Sequence, residues 1–488
     1  MKVIKTNLLD CVIIEPDVFG DNRGYFMQTY SEKDLQNSGI FNGHLVQGNE
    51  SLSEVKGTFR GLHFQKGSMA QAKLVRVVNG AVLDVVVDLR KDSPTYKEYT
   101  IVKLSEDNFR QLYVPRGFAH GFLTLTPKVT FSYGVDNFYS KVHDGGITLK
   151  DSDLNIELEK YLAENDINLD NLILSGKDEQ LPELKNTNLS FQRKPIKYLV
   201  TGVDGQLGYD VVKELNARGQ EDILGLTIND MDITNKEEVD MIIGNYNPNV
   251  IIHCAAYTNV NEAEKGDTAY KVNVEGTKNI SEAAQRINSK LVYVSTDYVF
   301  DGTKEGYYNE EDIPNPINKY GETKYLGELE ALKNPNTIIT RVSWVFGING
   351  NNFVKTMLKL SETRNELNIV DDQIGSPTYT VDLSKSIIDL VDLDCKGIYN
   401  ITNTNEMSWA DFADYIFKSN GIDIKINKVT TEEYPQPTQR PLNSKLSKDK
   451  LLKEGIIMPT VENAIDRYNK ELILEKNKEL RRIKIFNK

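Results

Sequence analysis

The stretch "KYLVTGVDGQLG", residues 197–208, sets the reading of this chain. An apolar run ends in Thr-Gly, and glycines 202, 205 and 208 follow at three-residue spacing. That is the pattern of a strand turning into a helix, where absent side chains let backbone N–H groups and the helix N-terminus approach a pyrophosphate. The same glycines also suit a tight turn with no ligand, so a function needs support from residues further on. Downstream, "DVVKELNARG", "NVIIHCAA", "GTKNISEAAQRI" and "KLVYVSTDYVF" alternate helical and strand texture. Such alternation implies a parallel sheet covered by helices.

Upstream the texture differs. Residues 1 to about 150 hold short β-rich runs with Gly and Asn punctuation and little helical period. In "KLVRVVNGAVLDVVVDLR" two apolar runs flank Asn79-Gly80, which predicts a type I′ hairpin, and "RQLYVPRGFAHGFLTLT" predicts another at Pro115 to Gly117. An antiparallel sandwich or barrel follows, with a cupin-like jelly roll as one option. The polar, proline-flanked stretch between the textures reads as a linker. The expected organisation is multidomain: an all-β cupin-like jelly roll over 1–185, a linker over 186–196, and a Rossmann-type doubly wound α/β domain with a small substrate-binding subdomain over 197–488.

Bulk properties narrow the function. At 488 residues the chain exceeds what one core supports. A net charge of −13 argues against nucleic acid and anionic membrane as partners. Cys11, Cys254 and Cys395 fit no metal or redox spacing, which suggests a reducing cytosol. The N-terminus has no secretory pattern and no run of about 18 apolar residues occurs, so neither export nor a membrane span is expected.

The α/β half also carries "YGETK", where Tyr320 and Lys324 are four apart on one helical face. An ammonium beside a phenol lowers the phenol pKa and makes Tyr320 a proton donor and acceptor near neutrality. Thr296, in "VYVSTDYVF", lies just past a strand end, where open α/β sheets bind ligands. Taken with "DMDIT", "HCAAYTNVNEAE", "TRVSWVFG", "DDQIGSPT" and "QRPLNSKL", this half resembles the extended short-chain dehydrogenase/reductases, and among them the dTDP-4-dehydrorhamnose reductase family. The resemblance implies Thr296, Tyr320 and Lys324 as the catalytic set for hydride delivery from NADPH or NADH to a sugar C4 ketone. It implies cofactor contacts at Gly202, Gly205, Gln206, Leu207, Gly208, Asp232, Ile233, Ala256, Tyr257 and Thr258, together with Tyr320 and Lys324, and substrate contacts at Asp297 and Trp344. Asn261 and Asp204 stand where the family more often has Asp and Asn. Tyr298 stands where the related dehydratases have an acid, which favours simple reduction. No Asp, Glu or Arg at the end of "DILGLT" decides between the two nicotinamide cofactors.

Four of the five histidines, 44, 63, 120 and 143, fall in the β half. A metal is one reading of that bias. Metal cupins usually present an HxH pair, however, and "RGLHFQ" has a single histidine. His63 near Arg60 and Lys73 instead suits a neutral general base with an anionic substrate. His44 and His143 read as structural. With "EPDVFGDNRGYFMQTY", "FRGLHFQ", "QAKLVRVVNGAVLDVVVDLRKDSPTY", "RQLYVPRGFAHGFLTL", "FSYGVDNFY" and "LILSGKD", this half resembles the dTDP-4-dehydrorhamnose 3,5-epimerase family. The resemblance implies His63 as base, Tyr133 as acid on the opposite face, Lys73 holding the enolate oxygen and Asp178 orienting His63. It implies Arg23, Gln28, Gln47, Asn49, Arg60, His120, Asp144 and Lys177 as sugar-nucleotide contacts. Gln28 and Gly134 depart from the family's usual Glu and Lys. Together the halves imply two successive steps on a dTDP-linked sugar, and the epimerase resemblance alone implies a homodimer through the β domain. The rival readings are a non-catalytic β module joined to a reductase, and a reductase for another 4-keto-6-deoxy sugar nucleotide.

Overall fold

The computed structural model describes residues 1–41, 44–189, 191–192 and 196–486, with side chains described through residue 475. Of the linker expected at 186–196, residues 190 and 193–195 lie outside the described residues. The basic tail from residue 476 continues the helix Val461–Phe486, and its side chains lie outside them. Two compact units emerge, Met1–Lys194 with Asp392–Asp394, and Pro195–Val391 with Cys395–Lys488.

The first unit is a pair of antiparallel sheets. One orders its strands Lys2–Lys5, Val12–Glu15, Gln111–Val114, Lys73–Asn79, Val129–Val135 and Gln47–Ser53. The other orders Asp144–Gly146, Phe59–Gln65, Phe118–Thr124, Ala81–Asp88 and Tyr99–Ser105. Their facing sides bury Val75, Val86, Leu104, Phe122 and Phe131. Both hairpins expected from the sequence are corrected here. Lys73–Asn79 pairs with Gln111–Val114 and Val129–Val135, whereas Ala81–Asp88 pairs with Phe118–Thr124 and Tyr99–Ser105. Asn79-Gly80 and Pro115 to Gly117 are therefore corners at which the chain crosses from one sheet to the other. Gly80 has φ +85°, and a Cβ there would stand 2.5 Å from Thr126 Oγ1, so the corner requires glycine for both conformation and room. Turn residues between apolar runs look alike in a hairpin and in a sheet-switching corner. Only the pairing partners separate them.

In the second unit six parallel strands run in the order Ile223–Leu226, Tyr198–Thr201, Val250–His253, Lys290–Thr296, Thr337–Val342 and Gly397–Asn400. Tyr198–Thr201 and Val250–His253 are buried throughout, as expected of strands covered on both faces. The strand order reverses between the first and third strands in sequence, which opens a crevice at their C-terminal ends. The helices Gln206–Ala217 and Lys319–Ala331 begin beside that edge. Asn318 starts the second of them by accepting a hydrogen bond from Gly321 N at 2.8 Å. A smaller subdomain packs Phe353–Ser361, Trp409–Ser419 and Val461–Phe486 around Phe346, Tyr379, Phe412 and Tyr468. Among the described residues no helix is long and apolar enough to cross a membrane.

Candidate active sites

Between the sheets of the first unit lies a cavity of about 440 Å³. His63 and His120 reach it from adjacent strands, in direct register with each other, and Arg60 joins them. Lys73 and Tyr133 come from the opposing sheet, so base and phenol candidates stand on opposite walls. His63 Nε2 lies 2.6 Å from Asp178 Oδ1. Ser175 caps the short helix Gly176–Glu179 and so fixes buried Asp178 in place. With Asp178 accepting from Nε2–H, the lone pair on Nδ1 remains for proton abstraction.

Burial pushes the His63 pKa below the ordinary histidine value; Asp178 opposes this, and Lys177 and Lys73 add to it. The basic neighbours credited by the sequence reading thus come second to desolvation. Burial lowers Lys73 to about 8, with Asp84 and Asp144 opposing, so its ammonium is still the major form at neutral pH. Tyr133 is raised by burial against the pull of Arg60, and it stays protonated to donate.

His120 Nε2 meets both oxygens of buried Asp84, at 3.0 and 2.9 Å. Sequence reasoning missed Asp84, although an acid inside the apolar run "VLDVVVD" was a usable signal. Lys177 Nζ donates to Asp144 at 2.6 Å, and Tyr139 OH donates to the same carboxylate at 3.2 Å. Gln47 accepts from Tyr139 N and donates to Asn49 Oδ1 at 2.8 Å, so these predicted contacts form one connected set. His143 is buried with Nδ1 2.8 Å from Ser140 Oγ, as a structural histidine would be.

Of this set Lys177 lines the cavity and Gln47, Asn49 and Asp144 lie behind it, whereas two further predicted contacts join neither the set nor the cavity. Arg23 sits on the exposed hairpin Val18–Asp21/Gly24–Met27, tied to Asp21 at 2.6 Å, and Gln28 lines a separate pocket with Phe19, Phe26 and Tyr30. The hairpin leaves Phe19 and Phe26 65 % and 71 % exposed, so it does not carry its residues to the inter-sheet cavity.

The crevice of the second unit is a cavity of about 930 Å³. Gly202, Gly205, Gln206, Leu207 and Gly208 form one wall. A Cβ on Gly208 would stand 2.2 Å from the Gly202 carbonyl oxygen, so helix and loop touch backbone to backbone. This cradle fits a dinucleotide pyrophosphate. Gly208→Ala should cost about 1–3 kcal/mol of stability and raise the dissociation constant for NADPH at least about tenfold, as read by melting and fluorescence titration; unchanged binding would show that the cradle is not used.

Asp232, Ile233, Ala256 and Thr258 line the cavity as expected, but Tyr257 does not. Asn273 holds the Tyr257 backbone from both sides, accepting from its N–H at 2.8 Å and donating to its carbonyl at 3.1 Å. Asn273 lies in the π-helical turn Lys271–Gly276, and nothing local in the sequence marks it.

Thr296 ends its strand, and Tyr320 and Lys324 share the neighbouring helix; all three line the cavity. Thr296 Oγ1 donates to Asp297 Oδ1 at 2.9 Å, and burial lifts the Asp297 pKa to about 6. Burial also pushes Tyr320 well above the ordinary tyrosine value, against the opposing effect of a hydrogen bond with Thr296. This corrects the expectation that Lys324 lowers it. Lys324 Nζ donates to the Val294 carbonyl at 2.7 Å, 4.2 Å from the Tyr293 ring centroid, and burial brings it down to about 7. Tyr320 is thus a fully protonated donor. Trp344 reaches the cavity with φ +49° and stacks on Trp409 at 3.6 Å, a partner the sequence reading missed.

The family model for the RmlD substrate binding domain matches residues 196–473, and that for dTDP-4-dehydrorhamnose 3,5-epimerase matches residues 5–186. The dTDP-4-dehydrorhamnose reductase of Aggregatibacter actinomycetemcomitans is 43% identical over 279 residues, 54% of this chain and 95% of that protein. The dTDP-4-dehydrorhamnose 3,5-epimerase of Shigella flexneri is 47% identical over 171 residues, 34% of this chain and 94% of that protein. The chain belongs to both families. It joins an epimerase half to a reductase half. A crystal structure of the reductase from Bacillus anthracis str. Ames in complex with NADP matches with TM-score 0.56 at 40% identity, covering 57% of this chain and 100% of that one. The reductase half therefore pairs its Thr296, Tyr320 and Lys324 with a fold that holds a nicotinamide dinucleotide in a relative.

Proposed function

We propose that this chain performs two consecutive steps of dTDP-L-rhamnose synthesis, one in each half. The observation that carries the reading is the His63–Asp178 pair at 2.6 Å, on the wall of a cavity that also receives Tyr133 and Lys73 from the opposing sheet. Facing acid and base are what a stereochemical inversion needs. In dTDP-4-dehydro-6-deoxy-D-glucose the hydrogens at C3 and C5 are both α to the C4 ketone. His63 Nδ1 removes each in turn, the Lys73 ammonium holds the enolate oxygen, and Tyr133 returns a proton from the other side. Asp178 stabilises the imidazolium formed. Arg60, His120, Lys177, Gln47, Asn49 and Asp144 hold the sugar nucleotide. Arg23 and Gln28 lie outside this cavity, so for them to contact the nucleotide a second copy must present its hairpin; with exposed Phe19, Tyr25 and Phe26, this supports a homodimer through the β domain.

The product, dTDP-4-dehydro-L-rhamnose, passes to the reductase half. Gly202 to Gly208, Asp232, Ile233, Ala256 and Thr258 would hold NADPH or NADH, which supplies a hydride for C4. Tyr320 donates the proton to the ketone oxygen. Thr296 hydrogen-bonds that hydroxyl, and Asp297 and Trp344 face the sugar. Residues 1–185 form the epimerase domain and 197–488 the reductase domain, and the enzyme works in the cytoplasm.

The test is incubation of dTDP-4-dehydro-6-deoxy-D-glucose in D₂O, first without and then with NADPH. Deuterium at C3 and C5 without cofactor, then dTDP-L-rhamnose by NMR once it is added, is the expected result. No deuterium at either carbon would reduce the β half to a binding module. A product other than rhamnose would reassign the reductase.

A further inference from the structure

NADH and NADPH differ only in a phosphate on the adenosine 2′-oxygen. In this fold that oxygen is met where the strand after the glycine cradle ends, by an acid for a hydroxyl or by an arginine for a phosphate. Here that strand is Ile223–Leu226, and Thr227, which lines the reductase cavity, follows it. Thr227 carries no charge, yet a carboxylate folds back onto it from further along the turn. Asp230 Oδ2 accepts from Thr227 N at 2.8 Å and from Thr227 Oγ1 at 2.7 Å. Those bonds hold the Asp230 carboxyl below the usual carboxylate range, so it is ionised at neutral pH. Both go to one oxygen, which leaves Oδ1 as acceptor for an outside hydroxyl. They also use up the two donors that Thr227 could offer a phosphate. The backbone N–H groups of Asp230 and Met231 turn inward to the Thr227 carbonyl, at 3.1 Å each.

The glycine cradle leans on the same corner. Gly202 N donates to the Leu226 carbonyl at 2.8 Å, and a Cβ on Gly225 would stand 3.1 Å from Val203 Cγ1. Asp204, next along that loop, is exposed and lines the cavity, as does Asp232 just beyond Asp230. Residues 198–212 and 219–235, which build this corner, contain no lysine, arginine or histidine. The basic residues nearest to them along the chain, Lys197, Lys213, Arg218 and Lys236, pair with Asp222, Glu471, Glu214 and Glu282. Among the described residues the cations that line the cavity are Lys324 and Arg440, bonded to Val294 and Tyr298, on and just beyond the strand Lys290–Thr296. That strand lies three places along the sheet from Ile223–Leu226, about 14 Å at the usual strand spacing.

Resting on the reductase reading above, we infer that the Thr227–Asp230 turn, together with Asp204, makes this site select NADH over NADPH. Asp230 accepts from the ribose 2′-hydroxyl of NADH. A 2′-phosphate would instead bring about two negative charges against two carboxylates, with no cation at hand to offset them. A relative of the same fold was crystallised with NADP, so the selection lies in the side chains of this corner and not in the fold.

The experiment titrates the full chain with NADH and with NADPH in turn, reading nicotinamide fluorescence with no sugar nucleotide present. NADH should bind at least about tenfold more tightly, and the ratio should narrow as salt rises, because exposed charges are screened. Asp204→Asn combined with Asp230→Asn should bring the two constants to within about threefold of each other, mainly by tightening NADPH, with each single variant in between. The NADH constant of the double variant, within about fivefold of the wild type, shows that the site is folded. If the double variant loses both dinucleotides, the single variants decide by the same ratio. Equal affinities in the wild type, tighter NADPH, or a ratio that no variant changes overturn the inference and leave the reductase reading standing. Absence of saturable binding of either dinucleotide overturns the reductase reading and the inference with it.

Discussion

Tyr320→Phe lowers ketone reduction about 10²–10⁴-fold and leaves deuterium exchange at C3 and C5 at the wild-type rate. The substitution keeps the ring that packs edge-on against Tyr298 and removes only the hydroxyl. What disappears is the proton that must reach the C4 oxygen as the hydride arrives. NADPH affinity should fall by no more than a few-fold, since only one hydroxyl contact is lost and the glycine cradle, Asp232, Ile233, Ala256 and Thr258 are untouched. Burial holds the phenol above the ordinary tyrosine value, so the wild-type rate should show no alkaline fall from Tyr320 ionisation below pH 10. Stopped-flow absorbance of NADPH reads the reduction, and NMR reads the exchange. Loss of exchange in this variant would contradict two separately working sites.

His63→Ala has the opposite signature. Exchange at both carbons falls about 10²–10⁴-fold, while reduction of pre-epimerised substrate continues. One base serving both positions makes a specific demand, because C3 and C5 exchange must fall together; survival of either would require a second base. The pH dependence has a definite sign. Desolvation lowers the His63 pKa below 6.5, so the neutral imidazole persists to lower pH than in an ordinary histidine. The acid limb of the exchange rate should therefore fall below pH 6.5, with full activity from there until the Lys73 ammonium begins to lose its proton at about 8. A limb above that value would mean that Asp178, by stabilising the imidazolium, outweighs burial.

Much of this was readable before any coordinates. The glycine spacing of residues 202 to 208, the switch from β-rich to alternating texture near residue 196, and the pairs Tyr320/Lys324 and His63/Lys73 are local or periodic signals. Each depends on residue type and spacing along the chain. Asp84, Asn273 and Trp409 were not legible as site residues, because their roles arise from neighbours 36, 16 and 65 positions away: His120, Tyr257 and Trp344. The two expected hairpins failed for the same reason, since a corner and a hairpin use the same turn chemistry.

The amino-acid sequence by itself determined the two fold classes, the phosphate cradle and the chemical types of the reacting groups. Backbone conformational preference and side-chain alternation act over a few residues and need no distant partner. Tertiary structure decided the rest: which strands face one another across the epimerase cavity, that Lys324 is turned toward a carbonyl and not toward lowering the Tyr320 pKa, and that Arg23 and Gln28 stand apart from that cavity. Desolvation and charge pairing depend on everything within a few ångströms, and only the folded chain brings those groups together.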